Sequence, residues 1–189
     1  MIRIGILGDI GSGKSYVANR FGYPVFNADQ EVSKLYKKDK KIFKELKKKI
    51  PKYIFTFPID KNEITQAILG NKVNLKKIIT VVHREIRKSL KLFLKKNRNK
   101  KIVILDIPLL LENKINNQSD ILVYVASKKI EIDKRLKKRI NFNPKLINKF
   151  RKVQFSSSYK KSKANFIIKN NFVKKSLNLS IKKILNKIL

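Results

Sequence analysis

Four short stretches of the chain are almost wholly apolar, and the regions between them carry apolar residues at three- and four-residue spacing. The apolar stretches are Ile2–Leu7, Ile102–Leu105, Ile121–Val125 and Phe166–Ile168. Runs of this kind suit strands buried on both faces of a parallel sheet. A further short strand is predicted at Pro24–Phe26, leading into Asn27-Ala28-Asp29. Helices are predicted over Lys14–Phe21, from Gln30 to Lys49 with a stop at Pro51, over Asn62–Leu69, and over Leu75–Lys96. Others follow over Lys128–Arg139, after Pro144, and over Val173–Leu189, where Leu177, Ile181, Ile184, Leu185 and Ile188 form one apolar stripe. Apolar strands separated by helices argue for an α/β fold, a doubly wound parallel sheet covered on both faces. The largely helical stretch from Glu31 to Lys96 interrupts that alternation and reads as an inserted lobe.

The turn after the first strand carries the chemistry. Gly8-Asp9-Ile10-Gly11-Ser12-Gly13-Lys14-Ser15 fits G-x-x-x-x-G-K-[ST] at every fixed position, between an apolar strand and a helix. Glycines let successive N–H groups turn inward onto phosphate oxygens, and the following helix adds its positive end. Lys14 reaches the β- and γ-phosphates, and the Ser15 hydroxyl suits magnesium. Gly8, Gly11, Ser12, Gly13, Lys14, Ser15 and Tyr16 are therefore the expected ATP-binding residues. Asp9 is out of keeping, since an acid there repels phosphates unless its side chain turns away. The strand ending at Asp106 supplies a carboxylate for a magnesium-bound water, although an acid can also end a strand without such a role. The Asn-Lys-x-Asp run that reads guanine is absent from the sequence.

Composition changes the picture at two points. The chain has no cysteine and a single histidine, His83, which excludes disulfides, thiolate sites and multi-histidine metal sites. With no signal-peptide pattern and no bilayer-length apolar run, the expected location is the cytoplasm, with no membrane partner. The net charge is +34, from 47 Lys and Arg against 13 Asp and Glu. Such an excess attracts polyanions. The lysines are nevertheless spread along the whole chain rather than gathered in one stripe, so a nucleic-acid partner is not expected.

Taken together, these motifs resemble the dephospho-CoA kinase family over nearly the whole chain. The resemblance rests on the glycine loop, on Asn27-Ala28-Asp29 in place of an Asp-Ala-Asp, on Ile59-Asp60-Lys61, on Val82-His83, and on Asp106-Ile107-Pro108-Leu109-Leu110-Leu111-Glu112. Arg135 and Arg139 match paired lid arginines, and Gln154, Ala164 and Asn170 match a Gln, an Ala-Asp and an Asn. It implies a single P-loop kinase domain of residues 1–189, with a core over about 1–30 and 98–189. A helical acceptor lobe over about 31–97 and a small helical lid over about 135–150 complete it. The implied reaction moves a phosphoryl group from ATP, with Mg2+, to the ribose 3′-hydroxyl of dephospho-CoA. The alternatives are another small-molecule or nucleoside monophosphate kinase of this fold, or a nucleic-acid-binding ATPase.

The same resemblance assigns roles. Asp29 orients and deprotonates the acceptor hydroxyl, or caps the helix that follows. Lys14, Arg135 and Arg139 stabilise the transferring phosphate, the two arginines lying one turn apart on a helix face unless both are simply solvated. His83, Leu109 and Glu112 would touch the acceptor; His83 can equally be structural, and Glu112 a supporting or capping residue. Asn170 would lie near the adenine. Ser15 and Asp106 would hold the metal, Asp106 through a water. Several positions depart from the pattern: Asn27, Tyr16, Arg84 after the histidine, Ile140 after the second lid arginine, Lys160 in place of an arginine, and Asn165 in place of the Asp of Ala-Asp.

Overall fold

The structure is a computed structural model that describes residues 1–140 and 142–189. Asn141, within the expected lid, lies outside the described residues. Five parallel strands form one sheet in the order β2-β3-β1-β4-β5. They are β1 (Ile2–Gly8), β2 (Val25–Asn27), β3 (Ile102–Asp106), β4 (Ile121–Ala126) and β5 (Phe166–Lys169). Every residue of the second-position strand β3 is buried, the apolar run Ile102–Leu105 and the terminal Asp106 alike. In the central strand β1, Ile4 and Ile6 are fully buried; each such side chain contributes roughly 2 kcal/mol of apolar burial.

Parallel strands need crossovers, and helices supply them. They are α1 (Lys14–Arg20), α2 (Ala28–Lys38), α3 (Lys40–Lys49), α4 (Lys61–Gly70), α5 (Asn74–Lys96), α6 (Lys129–Lys137), α7 (Pro144–Val153), α8 (Ser157–Lys163) and α9 (Lys174–Ile188). The chain divides into two compact units. One comprises residues 1–27, 97–143 and 151–189, and the other residues 28–96 and 144–150.

The first unit contains the sheet. Val17 and Ala18 of α1 and its C-cap Phe21, together with Leu177, Ile181 and Ile184 of α9, join Ile4, Ile6, Ile104, Val123, Val125 and Ile168 in one apolar cluster. The stripe seen in the sequence of α9 is thus the face it buries. Arg3 forms a two-pronged ion pair with Asp120, at 2.9 and 3.0 Å, which fastens the entry of β4 to β1.

The second unit is helical. Its longest helix, α5, buries Leu75, Ile78, Val82, Ile86 and Leu90 at helical spacing. The single helix expected from Gln30 to Lys49 is two helices. Asp39 breaks it by turning extended and accepting the N–H groups of Lys41 and Ile42, at 2.8 and 3.1 Å, as the N-cap of α3. A second helix after Pro144, α8, was also not expected. Ser156 caps it by accepting from Tyr159 N–H at 3.2 Å. No helix among the described residues is long and apolar enough to cross a membrane.

Candidate functional site: a phosphate loop and its supports

The loop between β1 and α1 leaves the sheet at Gly8 and enters the helix at Gly13. Gly13 is the N-cap of α1 in a left-handed conformation (φ 89°), with no side-chain cap and no acid in the first helical turn. That arrangement leaves the helix start suited to an anion. A methyl group on Gly13 would sit 2.5 Å from the amide nitrogen of Asn170, so glycine is required for space as well as for φ. The Lys14 ammonium donates to the carbonyls of Gly8 and Asp9, at 3.1 and 3.0 Å, which brings its charge over the loop. Ser12 is buried, and its hydroxyl has no hydrogen-bond partner among the described residues.

Loop shape is fixed from outside. The Ser12 carbonyl accepts from Ser127 Oγ and from Asn170 Nδ2, both at 2.9 Å. Asn170 completes the link by accepting from Phe172 N–H at 3.0 Å. Asn170, expected near the adenine, is 3% exposed, and its amide is engaged by the loop and the β5–α9 turn. Beside it, the Arg135 guanidinium stacks on Phe172, 4.0 Å from the ring centre. Arg139 lies past the end of α6, whose C-cap is Lys138, so the two arginines do not share a helix face as expected. Tyr16, partly buried, packs against the core with the Arg20 guanidinium 5.0 Å from its ring centre.

Asp106 ends β3 and is 3% exposed. It accepts from Asn27 Nδ2 at 2.7 Å and from the Ser15 hydroxyl, and Lys14 is close enough to act on it electrostatically. Burial nevertheless dominates and pushes its carboxyl above the ordinary carboxylate value, against the pull of Ser15, Lys14 and Asn27. Ser15 and Asp106 together are hard oxygen donors, the chemistry magnesium prefers. No cluster of three or more His, Cys, Asp or Glu able to hold a metal occurs among the described residues. The pair thus suits an ion that draws its other ligands from nucleotide phosphates and water.

Asp9 explains its own presence. Its carboxylate accepts from Ser157 Oγ at 2.6 Å and from the Tyr124 hydroxyl at 3.2 Å, with Lys160 Nζ at 3.6 Å. Glu112 accepts from Phe155 N–H at 2.8 Å and lies 3.8 Å from the same ammonium. Leu109 stands at φ 60°, a left-handed position costly for a side chain, and its carbonyl accepts from the backbone and side chain of Asn113. Asn165, a departure from the family pattern, accepts from Leu122 N–H at 2.8 Å and bonds back to its carbonyl, so the amide serves where a carboxylate is usual.

In the helical unit, Asp29 is an exposed residue in the first turn of α2. Since the helix starts at Ala28, Asp29 is not its N-cap. His83 is half-buried on α5, and burial, then the charge of Arg87, depress its pKa below the ordinary histidine value. A hollow of about 740 Å³ here is lined by many cations. Lys34, Arg84 and Lys88 are each already paired with Glu31, Glu45 or Glu85, so its charge is partly balanced.

The motif alone identified the loop, but not its supports. Ser127, Tyr124, Ser157 and Phe172 carry no local signature, since strand ends and turns far apart in sequence bring them to the loop.

A family model for dephospho-CoA kinase matches residues 2–175. The dephospho-CoA kinase of Wolbachia pipientis wMel is 33% identical over 98% of this chain and 97% of its own. That of Rickettsia prowazekii is 32% identical over 89% and 87%. A crystal structure of a Thermus thermophilus protein superposes with a TM-score of 0.82 at 26% identity, covering 100% of this chain and 97% of that one. A dephospho-CoA kinase structure from Campylobacter jejuni shares the fold, with a TM-score of 0.62 at 21% identity, over 98% and 96%. Alignment at this identity over almost the full length, joined to a kinase-type phosphate loop on a parallel sheet, places the chain in the dephospho-CoA kinase family.

Proposed function

We propose that this protein transfers the γ-phosphoryl group of ATP to the ribose 3′-hydroxyl of dephospho-CoA, giving ADP and CoA. The observation that carries the reading is the loop with Lys14 over its carbonyls and Ser15 hydrogen-bonded to buried Asp106, in a chain of this family. ATP lays its β- and γ-phosphates on the loop N–H groups, with Lys14 balancing their charge. Ser15 and Asp106, Asp106 through a water, would hold Mg2+, which when bound would supply charge compensation for the transferring phosphate. Asn27 and Ser15 keep Asp106 oriented for that work.

Asp29 orients the acceptor hydroxyl and takes its proton as the oxygen bonds to the γ-phosphorus and the β–γ bridge breaks. The family resemblance and the exposure of Asp29 support that role. Arg135 and Arg139 serve the departing phosphates, and residues 135–150 act as the lid that excludes water. The helical stretch over about 31–97, with His83, receives the acceptor, and the family resemblance assigns Leu109 and Glu112 to the same substrate.

ADP release in Mg-ATP, compared with dephospho-CoA, AMP, dCMP and single-stranded nucleic acid as second substrates, tests the reading. Turnover confined to dephospho-CoA is expected. Turnover driven by a nucleotide or by nucleic acid overturns the acceptor assignment.

A further inference from the structure

Lys160 stands in a run of lysines, Lys160-Lys161-Ser162-Lys163, that the sequence presents as surface. The structure buries one of them. Lys160 is 3% exposed, whereas Lys161 and Lys163 on the same short helix face solvent. A buried ammonium is costly unless it is paired and hydrogen-bonded. The Lys160 Nζ has no hydrogen-bond partner among the described residues. What surrounds it is charge: Asp9 Oδ1 at 3.6 Å and Glu112 Oε1 at 3.8 Å. Both carboxylates belong to ligand-facing segments, Asp9 to the phosphate loop and Glu112 to the segment after β3. Lys160, Glu112, Gly8 and Lys14 line one small hollow.

We propose that Lys160 is a positioning residue for the nucleotide: its buried ammonium, shared between Asp9 and Glu112, offsets one of their two negative charges, so that a phosphate loop carrying its own acid can still accept a polyphosphate. Asp9 is the part of the loop least suited to phosphate, and three groups restrain it. Ser157 and Tyr124 donate hydrogen bonds to Oδ2, while Lys160 supplies the compensating charge on the side of Oδ1. Ser157 and Lys160 both lie on α8, so one element delivers both the hydrogen bond and the charge. Glu112 holds the other end by accepting from Phe155 N–H just before that helix. Removing the ammonium leaves two carboxylates facing one another beside the loop, and the next negative charge to arrive is the nucleotide's.

This inference rests on the kinase reading for its purpose, but its test does not need the acceptor. ATP affinity is read directly by equilibrium dialysis with labelled Mg-ATP for the parent, Lys160→Met, Lys160→Arg, Asp9→Asn and the Asp9→Asn/Lys160→Met double variant. Lys160→Met is expected to weaken ATP binding by about tenfold or more, because it leaves the half-exposed Asp9 and the largely buried Glu112 without their shared cation. Lys160→Arg keeps the charge and should stay within about threefold of the parent. In the Asp9→Asn background, Lys160→Met should cost no more than about threefold, since the repulsion it exposes is gone. Unchanged affinity in Lys160→Met overturns the proposal. So does an equal loss in both backgrounds, which would make Lys160 a direct phosphate ligand. If Lys160→Met alone does not fold by circular dichroism, Asp9→Asn must restore both folding and binding; a double variant that stays unfolded also overturns it. Failure of dephospho-CoA as acceptor would leave all of these outcomes readable.

Discussion

Asn27 and Asp106 are register partners at the ends of β2 and β3, and the Asn27 amide donates to the Asp106 carboxylate at 2.7 Å. The hydrogen bond crosses between adjacent parallel strands at the edge where the phosphate loop leaves the sheet. It fixes the orientation of an acid whose pKa burial raises above the ordinary value.

That relationship sets a pH dependence. Burial raises the Asp106 pKa, so the folded state holds its proton more tightly than the unfolded chain does. Its ionisation therefore costs stability as pH rises from the ordinary carboxylate value through the raised one, while activity needs the ionised form. The acid limb of the kcat/KM profile should lie above pH 3.8, the ordinary Asp value. Asn27→Ala removes a donor to the charged form and should move that limb to higher pH; a limb that stays in place or moves down would contradict it.

Gly13 tests the loop without touching a charge. Alanine there must hold φ near 89° and displace the Asn170 amide from the Ser12 carbonyl. Gly13→Ala should cost roughly 1–3 kcal/mol in thermal stability and lower ATP affinity by about tenfold or more. A variant binding ATP like the parent would show that the loop shape matters less than its charge.

His83 gives a stability signature of opposite sign to that of Asp106. Its pKa is lowered in the folded protein, so on acidification the unfolded chain takes the proton first. The stability it contributes is present above its ordinary value of 6.5 and is lost as pH falls from there through the depressed value. Replacing it as His83→Asn should flatten the loss of Tm on acidification below pH 6.5. An identical slope in the two proteins would remove His83 from that account.

Much of the fold was legible because the apolar runs are short and unbroken: Ile102–Leu105 and Ile121–Val125 can hardly be anything but central strands. The phosphate loop was legible because its spacing is set by phosphate geometry. The break at Asp39 was missed, since an acid in a lysine-rich helical pattern reads equally well as an exposed helix residue. The early end of α6 was missed for a similar reason, and with it the separation of Arg139 from the face that carries Arg135. Lys160 was read as a departure from the family pattern, a lysine where an arginine is usual. Its burial depends on Asp9 and Glu112, more than 40 residues away in sequence, and no local pattern announces such a pairing.

Asp29→Asn separates chemistry from binding. The amide keeps the shape but cannot take a proton, so kcat should fall by about 10²-fold or more with ATP affinity nearly unchanged. Turnover at the parental rate would remove Asp29 as the base.

The most direct measurement is transfer of labelled γ-phosphate from Mg-ATP into dephospho-CoA, with the product's phosphate position identified and Lys14→Ala run beside the parent. The account predicts label at the ribose 3′-position of CoA with the parent protein and almost none with Lys14→Ala. Label absent from CoA, placed at another position, or undiminished by Lys14→Ala would contradict it.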